Sequence, residues 1–188
     1  MARSGKESSN GPSEIEHYDN LLKATPEERV LGWMQMTKTD KGNHIMGDWM
    51  SSIMPCVGLV SVDVDSPNPS ATFSYTVHGD HCNRLRNLHG GAAATLFDYL
   101  TTMAIAAVSA PDYWRYMGVS RTLNVTYLRP VPVGCEVLIK GEIVQIGRRL
   151  ATLRGTMIRR SDGAVMATCE HGKVNIDSDI DVKAKAKL

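Results

Sequence analysis

The chain reads as an α+β protein in which a curved antiparallel sheet wraps around one long helix. Three observations carry that reading. Apolar residues recur at helical spacing through one long segment that opens at Gly90. Strand-like segments rich in β-branched and aromatic residues flank it on both sides. Their order is helix, two strands, long helix, four strands, with the last three strands joined by tight turns. That order fits an antiparallel meander and not a parallel doubly wound sheet.

The 188 residues suffice for one domain with a sizeable core. Residues 1–24 are rich in Ser, Gly, Asn and Glu and are expected to form a disordered arm. The folded domain is expected over residues 25–176, with an N-terminal helical extension. In "TPEERVLGWMQM", Thr25 can cap, Pro26 suits the first helical position and Glu28 completes a capping box. Val30, Leu31, Trp33 and Met34 would form its apolar face. A second short helix is expected from about His44 to Ile53, closed by Pro55, and the methionines from Met34 to Met54 read as adaptable packing or the mouth of a lipid pocket. "VGLVSVDV" and "SATFSYTV" flank the turn cluster "DSPNPS", which makes a hairpin. In the long helix Leu96, Leu100, Met103, Ala104 and Ala107 share a face, and "SAPDY" ends it. "YMGVSRTLNVTYL" stops at Pro130 and Pro132. "CEVLIKGEIVQI", "LATLRGTMIRR" and "AVMATCEHGKVNI" follow, separated by "GRR" and "SDG". Residues 177–188 are expected to be a flexible tail.

The composition is that of a globular domain, 43% hydrophobic and 22% charged. A net charge of +1 argues against a general polyanion binder. Cys56, Cys82, Cys135 and Cys169 show no metal-ligand spacing and no C-x-x-C. With no secretion signal in view, they are expected as free thiols in a reducing compartment. The run from Gly90 to Pro111 is interrupted by Asp98 and several threonines, so no membrane span is expected. His78, Asp80 and His81 in "HGDH" invite a metal reading, but a polar loop of this kind is more often only a loop. "NVT" at Asn124 is read as an ordinary strand segment.

"NLHGGAAATLFDYL" carries the chemistry. Helix N-termini leave backbone N–H groups unpaired at the positive end of the dipole. Gly90 and Gly91, lacking Cβ atoms, let another molecule approach them, and such an N–H can hold an oxyanion. The pair equally suits tight packing of helix on sheet. Asp98 in an apolar stretch is costly unless paired or functional, which makes it a candidate general base or nucleophile. It could also lie on the exposed stripe of the helix. Eight residues of helix put Gly90 and Asp98 about 12 Å apart. One carbonyl cannot meet both groups of the same helix, so a joint role calls for a second copy and a site shared across a homodimer.

This segment, with "MGVSRTLNVTYLRPVPVG", resembles the hotdog-fold acyl-CoA thioesterases, nearest to the phenylacetate-pathway and thioesterase-superfamily-member branch. The resemblance covers Cys56 to Ile176. It implies the hotdog fold, with two subunits joined edge to edge and commonly paired again as a dimer of dimers. It implies an acyl-CoA hydrolase without metal or redox cofactor, in which the Gly90 N–H meets the thioester carbonyl. Asp98 of the other subunit would then activate water or attack. Asn83 and Ser120 match residues that hold water and substrate, and His89 orients the loop. CoA would lie over Tyr127, Leu128, Arg129 and Pro130 and over Gln145, Gly147, Arg148 and Arg149. Gly91 is placed with these binding residues, and Lys173 is a weaker phosphate candidate. The arginines are equally readable as solvated surface charges. "SAPDYWRYMG" is longer than the matching connection, and Trp114 and Tyr116 are expected to reshape the acyl pocket. Two alternatives remain, a hotdog hydratase or dehydratase and a non-catalytic acyl-CoA binder. The ending Ala186-Lys187-Leu188 resembles a peroxisomal address read by an import receptor; otherwise a cytoplasmic location is expected.

Overall fold

The computed structural model describes residues 19–36, 49–50 and 52–180. Most of the expected arm, most of the expected His44–Ile53 helix and the Ala186–Leu188 ending lie outside them. A ten-residue helix, α1, spans Pro26–Gln35. Thr25 caps it: its hydroxyl accepts the Glu28 N–H, while the Glu28 carboxylate accepts the Thr25 N–H at 2.8 Å. Val30 and Met34 are buried as the spacing requires, whereas Leu31 is exposed. Pro55 lies within a short 3₁₀ turn, Met54–Cys56, that leads into the first strand.

Six strands form one antiparallel sheet: β1 (Val57–Asp63), β2 (Ser70–Thr76), β3 (Val119–Tyr127), β4 (Glu136–Ile146), β5 (Leu150–Arg159) and β6 (Val165–Val174). Their order is β1-β2-β4-β5-β6-β3, with every neighbouring pair antiparallel. The expected hairpin (β1-β2) and meander (β4-β5-β6) are both present. The strand after the helix, β3, crosses to the far edge and pairs with β6 alone.

The long helix, α2, runs over Gly90–Val108 and is the core. Leu96, Phe97, Leu100, Met103 and Ala104 are fully buried against the sheet. By length and hydropathy α2 could cross a membrane, but most of it is buried inside this domain. Two glycines set how deeply it sits. Gly141 of β4 and Gly155 of β5 face each other in register. A Cβ on Gly155 would stand 2.5 Å from the Phe97 ring, and one on Gly141 2.7 Å from Thr101 Cα. Helix backbone therefore rests almost on sheet backbone, at the turn that carries Asp98. On the other side of α2 lies α1, tied by the Tyr99 hydroxyl donating to Trp33 O at 3.0 Å and by Arg29 donating to Ser109 O.

Described residues before Thr25 and after Ile176 also contact the domain. Asp19 pairs with Arg115, and the Asp177 carboxylate accepts the Arg115 and Tyr116 N–H groups at 2.9 and 3.2 Å. The loop these residues hold was expected to shape an acyl pocket through Trp114. Trp114 is instead fully buried, and its indole donates to Gly147 O at 2.7 Å. It is a core residue of this end of the sheet, held with a positive φ of 53°. All four cysteines are free thiols. "HGDH" is a brace: His78 accepts the Asp80 N–H, and buried His81 meets the Tyr75 hydroxyl at 2.7 Å. No group of three metal-binding side chains occurs among the described residues.

Candidate active site

Asp98 stands where α2 faces β3, and its side chain is about half exposed, at 47%. Ser120, the second residue of β3, donates to Asp98 Oδ1 at 2.5 Å. His171 of β6 reaches the same place from behind. Its Nε2 lies 3.0 Å from Ser120 Oγ and 3.3 Å from Asp98 Oδ1. Its Nδ1 lies 2.7 Å from Thr101 Oγ1. The single Thr101 hydroxyl proton goes back one turn to Phe97 O at 2.7 Å. Thr101 Oγ1 must therefore accept, so His171 Nδ1 carries the proton and neutral Nε2 presents a lone pair. Burial first, and the nearby Lys173 cation second, push His171 down to about 4, against a smaller opposing effect of Asp98. Two acceptors, Asp98 Oδ1 and His171 Nε2, thus compete for one Ser120 proton. Asp98 Oδ2 accepts no hydrogen bond among the described residues and is the free end of the carboxylate.

A second group gathers at the N-terminus of α2. His89 is the N-cap: its Nδ1 accepts the Gly91 N–H at 3.0 Å and its carbonyl accepts the Ala93 N–H. A Cβ on Gly91 would press His89 Nδ1 at 3.1 Å, so Gly91 serves the cap. Gly90 differs. Its N–H has no acceptor among the described residues, and a Cβ there would meet only the Tyr127 ring, at ordinary contact distance. The Tyr127 hydroxyl donates to Gly90 O at 2.8 Å and fixes the turn. Asn83 Oδ1 accepts the Leu85 and Asn87 N–H groups at 2.9 and 3.2 Å. That anchors the amide by its oxygen and leaves the Nδ2 donors uncommitted among the described residues. Asn83, Gly90, Tyr127, Leu128, Arg129 and Pro130 line a cavity of about 400 Å³.

The two groups do not meet within one chain. Asp98 and Ser120 lie at the Val119 end of β3, and the Gly90 cavity lies at its Tyr127 end, with Gly90 and Asp98 about 12 Å apart along α2. Gln145, Gly147, Arg148 and Arg149 also sit at the Val119 end, where Asn175 holds the Arg148 and Arg149 carbonyls. Arg129 is at the other end, donating to Val165 O at 2.6 Å. Lys173 is no surface phosphate partner. It is 4% exposed and donates to Thr102 Oγ1 at 3.0 Å beneath α2.

Sequence reasoning missed His171 and Thr101. A signal exists: Cys169, His171 and Lys173 continue the inward-facing alternation of β6, so two polar residues fall on the core face.

Residues 85–166 match the Thioesterase superfamily. Over that stretch the chain is similar to this family, and its architecture is the hotdog fold of the thioesterase structures it resembles. More particularly, it is 35% identical over 99 residues to mouse acyl-coenzyme A thioesterase 13, a match covering 52% of this chain. It spans 66% of that relative's length, just under two thirds. Zebrafish thioesterase superfamily member 2 superposes with a TM-score of 0.63 at 25% identity, over 81% of this chain and 99% of that one. The PaaI protein of the E. coli phenylacetic acid degradation operon shares the fold, with a TM-score of 0.54 at 16% identity over 63% and 82% of the two chains.

Proposed function

We propose that this protein hydrolyses an acyl-CoA to the free acid and CoA in a site made by two copies of the chain. The observation that carries the reading is the division just described. One end of β3 holds an anchored carboxylate with a free oxygen, and the other holds unpaired donors over a cavity. β3 is also an edge strand of nine residues with mostly exposed side chains, an arrangement that invites pairing with a second copy. Antiparallel pairing of two β3 strands about their middle brings the Val119 end of one beside the Tyr127 end of the other. Asp98, Ser120, Arg148 and Arg149 of one copy then approach Asn83, Gly90 and Arg129 of its partner.

In that composite site the thioester oxygen is held by the Gly90 N–H and the Asn83 amide, which stabilise the charge it gains. Asp98 acts through Oδ2. As general base it takes a proton from water, whose oxygen bonds to the carbonyl carbon. The tetrahedral intermediate collapses, the C–S bond breaks and the CoA thiolate leaves. As nucleophile, Asp98 would bond to the carbonyl carbon itself, the C–S bond would break with departure of the CoA thiolate, and water would then hydrolyse the mixed anhydride. In either course the Ser120 hydroxyl holds the inner oxygen still. The arginines supply planar donors for CoA phosphates.

Thiol release from acyl-CoAs of graded chain length, aliphatic and aromatic, tests the reading. Release that disappears in Asp98→Asn supports it. Acyl-CoA binding without any thiol release overturns it in favour of a binding protein.

A further inference from the structure

A lysine buried in a sheet–helix interface is rarely without consequence, because desolvating an ammonium is costly unless a partner offsets it. Lys173 is such a residue. Its Nζ has one hydrogen-bond acceptor among the described residues, the Thr102 hydroxyl at 3.0 Å. That hydroxyl in turn donates to the main-chain oxygen of Asp98 at 2.7 Å. The ammonium is thus braced against the turn of α2 that carries the carboxylate. Resting on the function proposed above, we propose that Lys173 is a positioning residue of this site: its ammonium is the fixed positive charge against which the Asp98–Ser120–His171 chain is set.

The groups that bear on it are few. α2 contributes Asp98. β6 contributes His171, two residues away on the same face, and Cys169, whose thiol burial pushes up to about 12 and keeps protonated. The residues registered opposite Lys173 are Ser120 on β3 and Ala151 on β5, neither of which carries a charge. Among the described residues, Lys173 and Asp98 are therefore the formal charges that meet at this inner face, of opposite sign. A cation here disfavours a second cation on His171, so Nε2 stays a free lone pair facing Ser120. Burial opposes the charge of Lys173 itself and brings it down to about 8, with Asp98 opposing that fall. The positive charge is then mostly present at pH 7 and half lost near pH 8.

Lys173→Met removes the charge and keeps most of the side chain's length. Lys173 donates to a neutral hydroxyl and Asp98 is half exposed, so removing the ammonium strands no buried counter-charge and a folded protein is expected; Lys173→Gln is the second variant. Two readouts separate a positioning role from a structural one. The wild-type kcat should fall on the alkaline side near pH 8 without loss of fold, and that limb should be absent from the variants. In the variants kcat should drop tenfold or more at pH 7, with KM changed far less. Independently of activity, His171 followed by NMR should titrate at higher pH in Lys173→Met than in wild type, by on the order of one pH unit. A uniform loss of rate with the pH profile and the His171 titration unchanged would overturn the proposal, as would failure of both variants to fold. If wild-type protein releases no thiol while His171 still shifts, it is the assigned reaction that fails and not the electrostatic coupling.

Discussion

Acidifying the protein should unfold it through His171, and the size of the effect follows from the site. His171 has no solvent exposure, is held neutral with an ionisation near 4, and in an unfolded chain would titrate near 6.5. Between those values the unfolded chain binds a proton that the folded one refuses. Unfolding is then favoured as pH falls, so stability rises with pH across the window and levels off above about 6.5. At roughly 1.4 kcal/mol per pH unit, the interval from 6.5 to about 4 amounts to roughly 3 kcal/mol as an upper figure. For a chain of this size that corresponds to a drop in Tm of about 6–12 °C. The measurement is urea unfolding at pH 7, 6, 5 and 4, on wild type and on His171→Asn. Carboxylates contribute their own acid dependence in both proteins, so the difference between the two slopes isolates His171. Equal slopes, or an NMR titration of His171 near 6.5 in the native state, would refute the burial and tautomer argument.

Asp98→Asn should leave Tm nearly unchanged, because the carboxamide oxygen can still accept from Ser120, while kcat falls by on the order of a hundredfold to ten-thousandfold; near-normal thiol release would sink the base or nucleophile assignment. Mixing Asp98→Ala subunits with subunits bearing phenylalanine at Gly90 should restore roughly a quarter of the wild-type rate after subunit exchange, since half of randomly mixed dimers carry one intact site; no recovery in verified heterodimers would rule out a shared site. Gly155→Ala should cost about 1–3 kcal/mol by forcing a methyl into the Phe97 ring, and the displaced turn should lower kcat as well. A wild-type Tm in that variant would show that α2 does not rest on the sheet as described.

The periodic parts of the fold were legible because their physics is local. The capping box at Thr25, the spacing of Leu96, Leu100 and Met103, and the turn clusters between strands all act within a few residues of sequence. Leu31 failed the same test because the apolar stripe of α1 meets only one face of α2, and there Val30 and Met34 suffice. The site was half legible. Asp98 stood out as a charge in an apolar run, and Gly90 as a bare helix start. His171, 73 residues further on, could not be joined to Asp98 without knowing that β6 lies next to β3. Trp114 misled because aromatic residues in a long connection look available, whereas the left-handed turn there folds the indole into the core. Lys173 misled for a related reason: a lysine near a strand end reads as surface until its inward register is known.

A strand left unpaired at the rim of the sheet has a kinetic meaning. When each copy brings half of the reacting groups, the rate at low abundance follows the square of protein concentration and not the concentration itself. Halving the amount of chain then removes more than half of the turnover. A copy that has lost both sets of groups but still pairs through β3 does not simply fail to contribute; it occupies a working partner and draws it out of use.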